Sequence, residues 1–157
     1  VLDHAEDLPV PVGGAVGSIT RCETAADDYV AHLVSCVEGK LDGFRLAIDC
    51  ANGSASTTAR KLFAALGADC VFLSDTPDGV NINDGCGSTH VDKLGAFVRE
   101  HGLDGGVAFD GDADRCLAVD AQGNVLDGDQ IIALLDDWKA KQPPELAKPQ
   151  KKTEKAL

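Results

Sequence analysis

Short apolar runs alternate with segments of helical periodicity along the middle of the chain, and this alternation limits the fold more than any other feature. Apolar runs end near residues 50, 73 and 109, and the segments between them repeat their apolar residues every three or four positions. Such an order favours a parallel sheet, because a right-handed helical crossover returns each strand in the same direction. A fourth run, residues 116–119, follows after only six residues, so we expect it to pair antiparallel.

The predicted fold class is therefore α/β: a three-layer α/β/α domain with a mostly parallel four-stranded sheet in the order 2-1-3-4, the last strand antiparallel. In this order the first and third strands lie side by side, and their carboxyl ends meet at the switch point where open α/β sheets bind ligands. The loops at residues 52–54 and 110–115 follow those two strands. We expect the functional site where these loops meet.

The chain divides into three parts by composition. Residues 1–21 hold two prolines and three glycines without an apolar period, which predicts an incoming linker. Residues 22–138 carry the strand and helix patterns, and within them Tyr29 and Trp138 fit apolar helical stripes and are predicted to lie in the core. Residues 139–157 are rich in Lys and Pro, which predicts a disordered or artificially added tail. The chain begins at Val1 and contains no methionine, so we expect it to be a piece of a longer protein.

The charge distribution excludes two classes of partner. Acidic residues outnumber basic ones by 26 to 14, and residues 1–138 alone hold 24 acidic and 8 basic residues, a net charge of −16. Nucleic-acid phosphates and anionic lipids both require clustered Lys and Arg, so we expect neither as a partner. No apolar run approaches the roughly 20 residues that span a bilayer. The sequence predicts a soluble protein.

Six cysteines are scattered along the chain with no C-x-x-C pair, which argues against a zinc knuckle or a redox motif. Cys50, Cys70 and Cys116 lie in apolar runs, where a free thiol behaves as a small buried hydrophobe. Free thiols are typical of reducing compartments, where disulfides are rare. The cytoplasm is therefore the simplest location for such a chain.

An acidic loop carries the sharpest chemical signal. Asp110, Asp112 and Asp114 alternate with the small residues Gly111 and Ala113. Carboxylates this close together repel one another unless a hard cation is bound, and Asp oxygens are ligands that Mg²⁺ prefers. The spacing resembles the start of an EF-hand loop, but the glycine and glutamate that such a loop requires are missing. The loop predicts a Mg²⁺ site beside Arg115, whose guanidinium could contact a phosphate.

Several other polar residues allow two interpretations. Residues 52–54 could donate backbone N–H groups to a phosphate, but Ser54 or a neighbour is more simply a helix N-cap. Thr89, with Asp92 three residues on, resembles a capping box, and His90 fits a capping or surface position. Asp127 and Gln130 have the same spacing and are predicted to cap the final helix rather than bind metal. The fourteen-residue loop at residues 74–87 is a place to look for recognition.

These stretches also resemble a known family. Residues 109–115 (FDGDADR) are similar to the metal-binding loop of the α-D-phosphohexomutase superfamily, and residues 127–131 to its continuation. Residues 48–54 agree with the same superfamily, and residues 77–83 leading to residues 86–90 resemble the phosphoglucosamine mutase branch most closely. The similarity runs from about Gly17 to Leu135, roughly three quarters of the chain.

The resemblance implies that this chain is the second, metal-binding domain of an enzyme that interconverts glucosamine 6-phosphate and glucosamine 1-phosphate through a phosphoserine and a bisphosphate. It implies that Asp110, Asp112 and Asp114 ligate Mg²⁺ with a phosphoserine oxygen from the first domain. It also implies that Arg115 is catalytic, contacting the phosphoryl group and the phosphosugar substrate. The family's serine loop, sugar-reading loop and phosphate clamp have no counterpart in this sequence. We therefore expect the fragment to be inactive without its partner domains.

Three alternatives stay open at this point. The longer protein could be another phosphohexomutase, either a phosphomannomutase or a phosphoglucomutase, because the domain that selects the sugar is missing. The chain could be a non-catalytic module that binds a divalent cation. A phosphatase of the haloacid dehalogenase type also places Asp-x-Asp after a parallel strand, but it requires Thr or Val where this chain has Asp114.

Overall fold

The computed structural model of the chain describes residues 11–141. Its helices are α1 (Ala25–Ser35), α2 (Ala59–Leu66), α3 (Val91–His101) and α4 (Gly128–Lys141). Its strands are β1 (Arg45–Asp49), β2 (Asp69–Leu73), β3 (Gly105–Phe109), β4 (Cys116–Asp120) and β5 (Val125–Leu126). Short 3₁₀ turns occupy Gly13–Ala15, Ser54–Thr57 and Ser88–His90.

The strands form one sheet in the order β2-β1-β3-β4-β5. β1 runs parallel to both β2 and β3, whereas β4 is antiparallel to β3. The predicted order and the antiparallel fourth strand are therefore confirmed. The sheet has five strands rather than the predicted four, because the two residues of β5 pair with β4. A two-residue strand is too short to show the alternation by which strands are recognised in a sequence.

The β4–β5 connection is held by one carboxylate. Asp120 Oδ1 accepts the backbone N–H groups of Gln122 and Asn124 at 2.9 and 2.8 Å, and Asp120 Oδ2 accepts the side-chain amide of Asn124 at 2.9 Å. The hydrogen bonds from Asn124 hold the pKa of Asp120 below its ordinary value. This carboxylate therefore fixes the shape of the turn at residues 121–124.

Two apolar clusters lie on opposite faces of the sheet, which confirms the three-layer architecture. Neighbouring residues of β1 divide between them, because successive side chains of a strand point to opposite faces. One cluster is packed under α3 and comprises Ala47, Leu94, Val98, Leu103, Ala108 and Val119. The other is packed under α2 and comprises Ile48, Cys50, Ala55, Ala59 and Phe63.

The cysteine prediction holds in part. All six cysteines are free. Cys50 is fully buried, and burial raises the pKa of its thiol to about 12. Cys70 is half-buried, whereas Cys116 is exposed because it begins β4 beside the acidic loop, at the open edge of the sheet.

The core prediction for Tyr29 is wrong. α1 packs mainly on α2, at the outside of the domain, and buries only Val30. Tyr29 is 53% exposed. A helical stripe of apolar residues therefore marks the inner face of α1 without making every member of it a core residue. The side chain of Trp138 lies outside the described residues.

The predicted linker and tail are only partly described. Residues 11–21 are exposed and contain one 3₁₀ turn, while residues 1–10 lie outside the described residues. α4 continues to Lys141 and so includes the first three residues of the predicted tail, whose remainder, residues 142–157, lies outside the described residues. The boundaries at residues 21 and 138 stay predictions.

A glycine–glycine contact joins α3 to the β4–β5 turn. Gly95 is buried, and a Cβ atom added to it would lie 2.5 Å from the carbonyl oxygen of Gly123. Neighbouring Ala96 is exposed on the same helix. The absence of a side chain at Gly95 therefore lets the helix approach the turn closely.

We expect Gly95→Ala to destabilise the domain, although alanine ordinarily stabilises a helix by about 1 kcal/mol relative to glycine. The added methyl group would force the turn away from the helix, at a cost of about 1–3 kcal/mol. Urea denaturation followed by circular dichroism measures the free energy of unfolding. Ala96→Gly is the matched control and should lose about 1 kcal/mol through helix propensity alone. A gain in stability in Gly95→Ala would contradict the close approach.

Candidate metal centre

Three loops converge at the carboxyl edge of the sheet. The backbone N–H of Ser54, after β1, donates to the carbonyl oxygen of Gly111, after β3, at 2.9 Å. The N–H of Asn83 donates to the carbonyl oxygen of Ala51 at 2.9 Å. A Cβ atom at Gly53 would overlap the backbone of Gly111, so only glycine permits this approach. The predicted meeting of residues 52–54 with residues 110–115 is confirmed, and the loop before α3 joins them.

Asp110, Asp112 and Asp114 come together in this loop. Each offers a carboxylate oxygen, and the three oxygens lie within 4.8 Å of one another. Oxygens bound to one Mg²⁺ at about 2.1 Å lie at most about 4.2 Å apart, so small side-chain rotations would bring the three to a shared ion. All three donors are hard oxygen ligands. The residues therefore fit a hard divalent cation such as Mg²⁺.

Arg115 fixes the most buried of the three carboxylates. Asp110 is only 4% exposed. Its Oδ2 accepts Nε–H of Arg115 at 2.8 Å, and its Oδ1 accepts the backbone N–H of Arg115 at 3.2 Å. Desolvation raises the pKa of Asp110, but these two hydrogen bonds together with the charge of Arg115 outweigh it, so the pKa lies below its ordinary value. Asp110 is therefore held as a carboxylate, with lone pairs left for a cation.

Asp114 lies in the opposite electrostatic situation. Its hydrogen bond with Asp110 and the negative charge of Asp112 raise the pKa of Asp114 above its ordinary value. Arg115 lies 3.5 Å from Asp114 and offsets only part of this repulsion. Three carboxylates and one guanidinium leave two negative charges in the loop, which matches the charge of one divalent cation.

Asp49, which was not predicted as a site residue, anchors the loops at this edge of the sheet. Asp49, at the end of β1, is 5% exposed and accepts the N–H of Ala51 at 2.9 Å and that of Gly87 at 2.8 Å. Gly87 has φ +74°, and a Cβ atom there would lie 2.7 Å from Phe109 O. Asp49 thus ties the first strand exit to the loop before α3. A carboxylate inside an apolar run is the sequence signal that could have identified it.

Two predictions of helix capping are wrong. Ser54 begins a 3₁₀ turn and caps no helix, since α2 starts after Thr58, which makes no capping bond. The N–H of Ser54 bonds Gly111 instead, so it is not free for a phosphate. Thr89 lies in the 3₁₀ turn before α3, and its hydroxyl lies 3.1 Å from Nδ1 of His90. A contact with a distant loop holds Ser54, whereas Thr89 belongs to a 3₁₀ turn that precedes the helix.

The capping box at α4 is confirmed. The N–H of Asp127 donates to Gln130 Oε1 at 2.9 Å, and the N–H of Gln130 donates to Asp127 Oδ1 at 2.8 Å. Asp127 therefore serves the helix terminus.

A cleft of about 380 Å³ opens between the acidic loop and the segment before α3. One wall carries Asp112 and Arg115, whose side chain is 79% exposed. The opposite wall carries Ile82, Asn83 and Thr89. The cleft thus places the guanidinium of Arg115, carboxylates, an amide and a hydroxyl around one space. The sequence had predicted only that the loop at residues 74–87 is suited to recognition.

Comparison with known families identifies this architecture. Residues 27–123, more than half of the chain, match the family described as phosphoglucomutase/phosphomannomutase, alpha/beta/alpha domain II. The chain belongs to this family. The matched segment includes β1, β3 and the whole acidic loop, so the resemblance drawn from the sequence is confirmed for the second domain.

Curated relatives of the chain include phosphoglucosamine mutases. The chain is 50% identical over 135 residues to the phosphoglucosamine mutase of Acetivibrio thermocellus, which covers 86% of this chain and 30% of that protein. It is 52% identical over 131 residues to that of a Nocardioides species, covering 83% of this chain and 29% of the relative. The chain thus spans about 30% of the length of the relatives it matches.

A solved structure shares the fold. A phosphoglucomutase/phosphomannomutase family protein from Burkholderia thailandensis aligns with a TM-score of 0.63 and 30% identity, over 75% of this chain and 26% of that one. No helix within residues 11–141 is both long and apolar enough to cross a membrane.

Ala113 holds a conformation in the acidic loop that is unusual for its residue type. Its φ is +59°, in the left-handed region, and its N–H donates to the carbonyl oxygen of Asp110 at 3.1 Å. An alanine there costs about 1 kcal/mol relative to an unstrained backbone. The loop maintains this strain between two of its carboxylates.

We expect Ala113→Gly to raise the free energy of unfolding by about 0.5–1 kcal/mol, because glycine adopts this conformation without strain. Thermal and urea denaturation of the metal-free chain measure the change. Ala64→Gly, on the exposed side of α2, is the control and should lose about 1 kcal/mol. A loss of stability in both variants would show that residue 113 is not strained.

Proposed function

We propose that this chain is the metal-binding domain of a phosphoglucosamine mutase, which interconverts glucosamine 6-phosphate and glucosamine 1-phosphate through a phosphoserine and a bisphosphate. The observation that carries the proposal is the convergence of three carboxylate oxygens within 4.8 Å, in a chain half identical to phosphoglucosamine mutases. The cytoplasm is the location we infer for such an enzyme of sugar phosphates.

In this proposal Asp110, Asp112 and Asp114 hold Mg²⁺. Asp110 is the fixed ligand, because Arg115 and its own burial immobilise the carboxylate. Asp112 and Asp114 are exposed and can adjust to the ion. When bound, the cation neutralises negative charge on a phosphoryl group undergoing transfer.

Arg115 has a second task in the same proposal. Its Nε binds Asp110, which orients the guanidinium, while most of the side chain remains exposed at the cleft. A guanidinium in this position can donate to a phosphoryl oxygen of the substrate or of a phosphoserine. The phosphoserine would come from another domain of the same enzyme, because the relatives are more than three times longer than the aligned segment.

A second candidate function has its own support. The descriptions of the matched family and of the solved neighbour both name phosphoglucomutase and phosphomannomutase. The longer protein could therefore act on a hexose phosphate rather than on a hexosamine phosphate. The same metal and arginine would serve either substrate. The third possibility, a module that only binds a divalent cation, requires the acidic loop alone.

We expect Mg²⁺ to bind the isolated chain saturably and Asp112→Asn to weaken binding by about tenfold or more, since one of three anionic ligands is lost. Isothermal titration calorimetry at moderate ionic strength measures the affinity. Asp129→Asn removes the same charge from the exposed first turn of α4 and should bind as the unaltered chain does. Equal weakening in both variants, or no binding by the unaltered chain, would contradict a preformed site.

We expect the chain alone neither to isomerise glucosamine 6-phosphate nor to release phosphate from it, because the proposed phosphoserine lies in another domain. ³¹P NMR of a reaction with Mg²⁺ distinguishes the substrate, its 1-phosphate isomer and free phosphate. The phosphoglucosamine mutase of Acetivibrio thermocellus serves as the positive control. Phosphate release by the chain alone would instead favour a phosphatase that uses Asp110 as its nucleophile.

A further inference from the structure

The cleft beside the acidic loop has a second wall, formed by the segment before α3, to which the proposed metal chemistry assigns no role. The wall is Ile82, Asn83 and Thr89, and the cleft of about 380 Å³ is within the size range of small-molecule sites. Ile82 and Asn83 lie directly against the acidic loop, because a Cβ atom at Gly111 would be 2.7 Å from Asn83 Nδ2 and 2.8 Å from Ile82 Cδ1.

Asn83 differs from the other three asparagines of the chain. Asn52, Asn81 and Asn124 each use their side-chain amides in hydrogen bonds that hold loops together. The side chain of Asn83 makes no hydrogen bond to any residue in the described part of the chain, although Asn83 lines the cleft. Its amide is therefore available to a ligand, as both donor and acceptor.

The backbone holds Asn83 in place. Its φ is +57°, a conformation that non-glycine residues seldom adopt and that is frequent at ligand sites. Its N–H is anchored to Ala51, Lys93 Nζ donates to the carbonyl oxygen of Gly85 at 2.6 Å, and Asp49 binds the N–H of Gly87. The wall is thus fixed on both sides of Asn83 before any ligand arrives.

The groups around the cleft select a class of ligand. Arg115 presents an exposed guanidinium, which favours an anionic group such as a phosphate. Asn83 and Thr89 present an amide and a hydroxyl, which pair with neutral hydroxyl groups; Thr89 keeps capacity for a ligand beyond its contact with His90. A molecule with a phosphate and adjacent hydroxyls, a phosphorylated sugar, satisfies both walls.

We propose that Asn83 and Thr89 form a sugar-binding wall, which hydrogen-bonds hydroxyl groups of a phosphosugar whose phosphate faces Arg115 and the metal. This inference rests on the proposed function and adds to it the residues of this domain that contact the sugar itself. It predicts that the two residues discriminate a phosphosugar from phosphate alone.

The test compares two ligands on the 157-residue chain with saturating Mg²⁺. Glucosamine 6-phosphate and inorganic phosphate are titrated separately, and backbone amide shifts are followed by ¹⁵N NMR. Asn83→Gly removes the amide and keeps the left-handed backbone, so it should retain the fold. We expect it to weaken glucosamine 6-phosphate binding by about fivefold, the value of one hydrogen bond, and to leave phosphate binding unchanged. Thr89→Val should have the same selective effect.

Ser74→Gly is the matched control. Ser74 also has a positive φ, of +48°, at the same edge of the sheet, but it does not line the cleft. We expect its affinity for both ligands to equal that of the unaltered chain. Equal affinities for glucosamine 6-phosphate in Asn83→Gly and the unaltered chain would overturn the inference. So would equal weakening for both ligands, or no binding of glucosamine 6-phosphate at tens of millimolar.

The Mg²⁺ titration separates this failure from failure of the proposed function. If the unaltered chain binds Mg²⁺ and Asn83→Gly changes nothing, only the sugar-binding wall is wrong. If the unaltered chain does not bind Mg²⁺, the proposed metal centre is overturned together with the wall built upon it.

Discussion

The structure depends on the direct contact between the exits of β1 and β3. Parallel neighbours end at the same edge of a sheet, so the loops after them must share one small space. The backbone hydrogen bond from Ser54 to Gly111 and the absence of a side chain at Gly53 allow that approach, and a second hydrogen bond, from Asn83 to Ala51, adds the loop before α3. The shape of the acidic loop, the position of the cleft and the path of the chain before α3 all follow from this contact.

Burial of β1 on both faces makes that edge rigid. Ala47 and Ile48 belong to opposite clusters, so the strand cannot slide without disturbing both layers. Asp49 extends this rigidity into the loops, because a buried carboxylate must keep its two N–H partners. The resulting scaffold tolerates left-handed conformations at Asn83 and Ala113, which an isolated loop would relax.

The carboxylates of the acidic loop lie in different electrostatic environments. Arg115 neutralises part of the repulsion among the carboxylates and fixes Asp110, while Asp114 retains a raised pKa from the same neighbours. A loop with two unbalanced negative charges beside an exposed guanidinium suits a divalent cation and, in the proposed function, a phosphate next to it. One arginine therefore stabilises the acidic loop and, in the proposed function, binds the substrate.

The α/β class, the order of the first four strands, the antiparallel fourth strand and the position of the acidic loop are all predictable from the amino-acid sequence. Each of these features depends on a local pattern: apolar runs, helical spacing, a six-residue connection or three aspartates at alternate positions. The capping box at Asp127 is equally local, and it too was predictable.

The hydrogen-bond partners of the polar groups, in contrast, depend on how the elements pack in the fold. Ser54 and Thr89 have the sequence spacing of helix caps. In the fold, however, the N–H of Ser54 bonds Gly111, and Thr89 lines the cleft. Tyr29 has the spacing of a core residue and is exposed, because α1 packs mainly on α2, at the outside of the domain. The local sequence around Asp49 and Asn83 does not show their partners, because Gly87 lies 38 positions from Asp49 and Ala51 lies 32 positions from Asn83. Sequence patterns report the period of one element, whereas burial and hydrogen-bond partners depend on which elements meet, and that is settled only when the whole sheet is assembled.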